Sequence, residues 1–118
     1  MTMKNKGFIE RLGFAWSGLR MAWRRERSLR IQTGVALAAM LALLVLRPAL
    51  IWWALLGLMI SLVLAAELIN TALEELTDHL HPELHPRIKF VKDCAAAAVL
   101  VLSIGALWVG GLMVLSVF

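Results

Sequence analysis

The stretch ALIWWALLGLMISLVLAA over residues 49–66, running without a break into ELINTALEELTD over residues 67–78, decides the fold. The eighteen residues 49–66, at about 1.5 Å per helical residue, cover roughly 27 Å, close to the thickness of a hydrocarbon core. Pro48 stands just ahead of them and suits a helix start. The helical pattern then continues to about residue 79, which carries the acidic part roughly 16 Å beyond the apolar part. Glu67 therefore falls near the hydrocarbon boundary and Asp78 near water.

Two more apolar runs, over residues 31–46 and 94–118, are also near the length needed to cross a bilayer. The 118-residue chain is 61% hydrophobic and 17% charged, with a mean hydropathy of +0.81, which excludes an ordinary soluble domain. The predicted fold is an all-α integral membrane protein with three spans in one domain over residues 1–118. No linker, low-complexity stretch or internal repeat divides it. The first run is short and follows a basic segment, as in a signal peptide, but two spans follow it and the basic segment has a pattern of its own, so we read it as retained. The single cysteine, Cys94, excludes an intramolecular disulfide and reads as a small packing residue.

Eight of the twelve Lys and Arg residues, from Lys4 and Lys6 to Arg30, precede the first span; Arg47 alone separates the first two spans, and Arg87, Lys89 and Lys92 lie between the second and third. By the positive-inside rule the N-terminus and the second loop are cytoplasmic. That topology, with attraction to anionic lipid, accounts for the net charge of +4 without a nucleic-acid partner. Within the basic segment Ile9, Leu12, Trp16, Leu19 and Trp23 recur at helical spacing, which predicts an amphipathic helix over about residues 8–25 lying in the membrane interface. After the second span, Pro82 and Pro86 break the helix around His79, His81 and His85, whose spacing without cysteine is too loose for a structural zinc site.

The chemistry-bearing residues are Glu67, Asn70, Thr71, Glu74 and Asp78, whose intervals of three, one, three and four put them on one helical stripe. Glu74 and Asp78 repel one another at i,i+4 unless a cation is supplied. Glu26 and Arg30 before the first span, and Lys92 and Asp93 before the third, reach the same membrane depth. Such groups can simply pair with one another at the rim of a bundle, Glu26 with Arg30 for instance. Carboxylates without thiolates also suit a hard cation such as Mg²⁺, held by one or two of them together with substrate phosphates. With Glu67 and Glu74 about 10 Å apart along the axis, the deeper carboxylate is placed for a lipid hydroxyl and the other for a phosphate-bound metal. No Walker or protein-kinase signature is present.

The sequence from Glu67 to Asp78 resembles the signature of the prokaryotic diacylglycerol kinase family, roughly E-x-x-N-[ST]-[AS]-x-E-x-x-V-D. The stretches WRRERSLR at residues 23–30 and HPRIKFVKD at 85–93 extend the resemblance over nearly the whole chain. The resemblance implies a homotrimer with active sites shared between subunits, in the bacterial cytoplasmic (inner) membrane, using MgATP to phosphorylate diacylglycerol. Undecaprenol is the alternative acceptor, and a noncatalytic membrane subunit of the same fold the alternative of another class. Carried over by position, Glu67 resembles the general base, and Glu26 and Glu74 the metal-binding carboxylates. Phe14, Glu83, Leu84, His85, Lys92 and Asp93, with Glu26 and Glu74, are similar to nucleotide contacts. Arg11, Trp16, Arg20, Trp23, Ser28 and Arg30, with Gln32, Trp53 and Glu67, resemble the lipid-binding set, and Asn70 and Asp78 supporting residues. Thr77 departs from the usual Val, while Phe14 and Gln32 stand where some members have Tyr and Glu.

Overall fold

The computed structural model describes residues 7–118, so Lys4 and Lys6 of the basic segment lie outside the described residues. Four helices follow one another: α1 (Phe8–Arg25), α2 (Arg27–Leu46), α3 (Leu50–Leu80) and α4 (Pro86–Val117). The last three are long and apolar enough to cross a membrane, as the sequence predicts, and most of their apolar side chains face outward. An outward apolar surface is stable in lipid and ruinous in water.

Each boundary has a local cause. Glu26, extended at φ −106° and ψ 105°, separates α1 from α2, and the Arg30 guanidinium donates back to the carbonyls of Trp23 at 2.6 Å and Arg24 at 3.2 Å. Those carbonyls end α1, where a cation is favoured. Arg30 is thus engaged by backbone rather than paired with Glu26. Arg47 ends α2 in the left-handed region at φ 47°, its amide donating to the Leu43 carbonyl at 3.0 Å, and Pro48 then prevents continuation. At the head of α4, Pro86 occupies the first turn and the His85 ring accepts from the Arg87 amide at 3.1 Å. The helix begins eight residues before the apolar run at 94–118, because residues 86–93 form an amphipathic turn held by Lys89 and Asp93 at 2.6 Å.

α3 packs most extensively on α4, and α2 rests on α3. Leu43, Leu56 and Met113 form the buried centre of this packing, with Trp52 and Trp53 against it. Gly105 of α4 lets the side chain of Met59 approach to 3.0 Å from where a Cβ would lie, a close helix contact of the kind small residues permit in membranes. Cys94 is exposed on α4, so within this chain it does not fill the packing role read from its sequence context.

Candidate active site

The acidic stripe of α3 meets the start of α2. Glu67 is 2% exposed, and its Oε1 accepts from the Ser28 hydroxyl at 2.6 Å. One turn on, the Thr71 hydroxyl donates to the Glu67 carbonyl at 2.9 Å, and the Asn70 amide donates to Glu74 Oε1 at 3.2 Å. Thr77, the departure from the usual Val, is buried with its hydroxyl donating to the Glu74 carbonyl at 3.1 Å. The bond explains why a β-branched hydroxyl residue is tolerated there. Asp78 is paired with Lys92, tying α3 to α4.

Glu26 faces this cluster from the α1–α2 junction, outside the spanning segments. Burial, and then the charges of Glu74, Glu67 and Glu75, push its carboxyl above the usual range, with Arg30 pulling weakly the other way. Several carboxylates therefore share a field with too little positive charge. Sequence reading passed over Glu75, which lies about 100° round the helix from Glu74 and pairs outward with Arg25 at 2.9 Å.

Among the described residues no three His, Cys, Asp or Glu side chains are gathered closely enough to hold a metal unaided. Mg²⁺ needs no such cage, since it keeps waters and phosphate oxygens as ligands and takes one or two carboxylates. Glu26 and Glu74 offer that number. Beside them Asn70 Oδ1 is buried without a partner, an acceptor free for a metal-bound water. The residues present fit the ion.

A groove of about 420 Å³ opens between α1, α2 and α3, and Trp16, Leu19, Arg20, Trp23 and Arg24 of α1 line it. Leu64 and Leu68 of α3 and Leu29 and Thr33 of α2 complete its wall; each pair is spaced by four, the one signal in the sequence that would have found them. Gln32 instead turns toward α4, donating to Ser103 at 3.1 Å. Arg11 is exposed in the first turn of α1 and Phe14 is half-buried ahead of the groove. Trp53 packs in the apolar cluster, roughly 21 Å along α3 from Glu67. Glu83, Leu84 and His85 stand exposed in the α3–α4 loop. There the Glu83 carbonyl meets the His81 ring at 2.8 Å, and the rings of His81 and His85 sit edge to face at 5.5 Å. The loop histidines thus have local partners.

The prokaryotic diacylglycerol kinase family matches the chain over residues 13–114. A diacylglycerol kinase of Synechocystis is 40% identical over 86% of this chain and 59% of its own length, and that of Escherichia coli K12 is 37% identical over 79% and 76%. The undecaprenol kinase of Bacillus subtilis is 30% identical over 92% of this chain and 88% of its own. The chain thus spans less than two thirds of the Synechocystis relative and more of the others. With the signature at residues 67–78 seated on a buried carboxylate and the match running through all three spans, the chain belongs to the prokaryotic diacylglycerol kinase family.

Proposed function

We propose that this membrane protein is an ATP-dependent lipid kinase that transfers the γ-phosphate of MgATP to the hydroxyl of diacylglycerol, giving phosphatidic acid. The observation that carries the reading is Glu67: a carboxylate 2% exposed, at the end of the apolar part of α3 and next in sequence to Leu68, which helps wall a groove lined by tryptophan and arginine. A carboxylate is dear at that depth unless it has work to do. The groove holds the acceptor lipid, apolar chains against Leu64 and Leu68 and polar head toward Arg20. Glu67 takes the proton of the acceptor hydroxyl as its oxygen bonds to the γ-phosphorus, and ADP leaves. Glu26 and Glu74 hold Mg²⁺, which when bound neutralises charge on the phosphates, and Asn70 keeps Glu74 in place. Lys92 and Asp93, with Phe14, contact the nucleotide, and Asp78 supports Lys92.

The basic segment before α2 and the basic residues Arg87, Lys89 and Lys92 at the start of α4 favour a cytoplasmic N-terminus and active site in the bacterial inner membrane. Glu83, Leu84 and His85 sit roughly 20 Å along the helix axis from Glu67 within one chain. That separation favours a homotrimer in which each single-domain subunit lends this loop to its neighbour's site. A second reading, undecaprenol as acceptor, is favoured by the Bacillus subtilis relative, whose alignment covers 92% of this chain.

The test is phosphorylation by purified protein of the two lipid alcohols side by side, in the same mixed micelles with radiolabelled MgATP. Label in diacylglycerol is the expected result. Label in undecaprenol alone reassigns the substrate, and label in neither by a folded protein supports a noncatalytic subunit.

A further inference from the structure

Ser28 is the second residue of α2, in its first turn. Here the hydroxyl crosses to another helix, donating to Glu67 Oε1 at 2.6 Å from 39 residues away in sequence. The residue ahead of the helix, Glu26, makes no side-chain cap either. No side chain caps the helix start, and the serine holds the carboxylate. Among the described residues no other group donates to that carboxylate, since the nearby Thr71 hydroxyl goes to the main-chain carbonyl. Among the described residues the one buried side-chain polar atom left without a partner is Asn70 Oδ1, so Glu67 Oε2, to which no bond runs, keeps some access.

We propose that Ser28 is a positioning residue for Glu67: by engaging Oε1 it fixes the carboxylate so that Oε2 faces the acceptor hydroxyl. The inference rests on Glu67 being the general base. The charge of Glu67 acts on Glu26, whose carboxyl it helps to raise, and an untethered Glu67 carboxylate would swing away from that neighbour. A cation would tether it more firmly but would also compete for the proton-accepting charge. A neutral hydroxyl orients the base and leaves its charge intact. Misplacement of a reacting group by about 1 Å can lower a rate by roughly 10²-fold. Glu26 stands two residues earlier, at the junction ahead of α2, so one short stretch sets both the base and a metal-facing carboxylate.

The experiment is a double-mutant cycle on the full chain in diacylglycerol micelles with radiolabelled MgATP. Ser28→Ala is expected to lower kcat roughly 10–100-fold, the range for one hydrogen bond to a charged group. KM for MgATP and for diacylglycerol should stay within about twofold. Ser28→Thr, which keeps the hydroxyl, should restore most of the rate, and Ser28→Cys, a weak donor, should behave like alanine, which keeps the test available if the alanine protein is unstable. In a Glu67→Gln background Ser28→Ala should change kcat by less than about twofold, because the orientation of a group that takes no proton is immaterial. The same loss in both backgrounds, a loss confined to KM for lipid, or a near-normal Ser28→Ala rate would overturn the positioning role while leaving Glu67 as the base. A near-normal rate for folded Glu67→Gln would remove the base itself, and the inference with it.

Discussion

Around Leu56, α3 meets Leu43 of α2 and Met113 of α4 in a cluster of apolar side chains. About three turns further along the same helix, around Glu67, it meets Ser28 and faces Glu26 in a cluster that is polar and short of positive charge. In a membrane the first arrangement holds helices together by close packing, because lipid is as apolar as leucine and gives little drive to bury it. The second arrangement is unfavourable by itself and becomes useful when a cation and phosphates arrive. One helix therefore separates holding from reacting along its length, and a substitution at either end should disturb mainly one of the two.

The strongest way to break this comparison is Glu67→Gln. Turnover should fall by roughly 10²–10⁴-fold, the range for a positioned general base, with MgATP binding retained. Thermal unfolding should be unchanged or slightly later, since an amide is easier to hold near hydrocarbon than an ionised carboxylate. Lipid phosphorylation against MgATP concentration, alongside a melting curve, reads both; large destabilisation with normal turnover of the folded fraction would reverse the assignment of the two ends. Leu56→Ala is the mirror test. In a water-soluble core it would cost about 2–5 kcal/mol, but with lipid as solvent mainly the cavity part remains, about 1–2 kcal/mol. Denaturant unfolding in detergent should show that loss while kcat of the folded protein stays put.

The two ends were not equally legible in the sequence. Helix number, span positions and the long polar extension of α3 follow from run lengths and prolines, because hydrocarbon thickness leaves few choices. The stripe of Glu67, Asn70 and Glu74 is equally plain, since i,i+3 and i,i+4 spacing puts side chains on one face whatever surrounds them. Contacts between helices were hidden. Nothing local says that Ser28 crosses to Glu67, that Arg30 turns back to the α1 carbonyls in place of Glu26, or that Gln32 reaches Ser103. Helix rotation and the break at Glu26 decide those pairs, and neither is written in a periodicity. Glu75 was passed over for the related reason that its role arises from the field at Glu26, not from its own face.

The field at Glu26 gives a smaller, pH-dependent test. Its carboxyl is raised above the usual range by burial and by neighbouring carboxylates, so the folded protein binds this proton more tightly than the unfolded chain. Ionised Glu26 thus destabilises the metal-free fold at neutral pH, and that penalty disappears as pH falls through the raised folded value. With a chelator present, the melting temperature should rise as pH is lowered through the range just above that of ordinary carboxylates, before general acid unfolding sets in. Glu26→Gln should flatten this part of the profile, and Mg²⁺ should flatten it too by stabilising the ionised form. A profile unchanged by Glu26→Gln would place the charge shortage elsewhere in the cluster.

The smallest effect should come from Arg25 and Glu75, which pair at 2.9 Å across the outside of the α1–α3 contact with side chains 54% and 57% exposed. Exposed pairs of this kind contribute about 0–1 kcal/mol and are screened by salt, so Arg25→Ala should barely move the melting temperature. Its effect on the reacting end has a definite sign nonetheless. Removing the guanidinium leaves Glu75 unpaired beside Glu26 and Glu74, which adds to the negative field that already raises the Glu26 carboxyl. A more negative field attracts Mg²⁺ more strongly, so half-maximal activity should occur at a slightly lower Mg²⁺ concentration than in the parent protein, and the difference should vanish in high salt. A rise in the Mg²⁺ requirement would mean that Arg25 acts on the nucleotide phosphates directly and belongs to the reacting end itself.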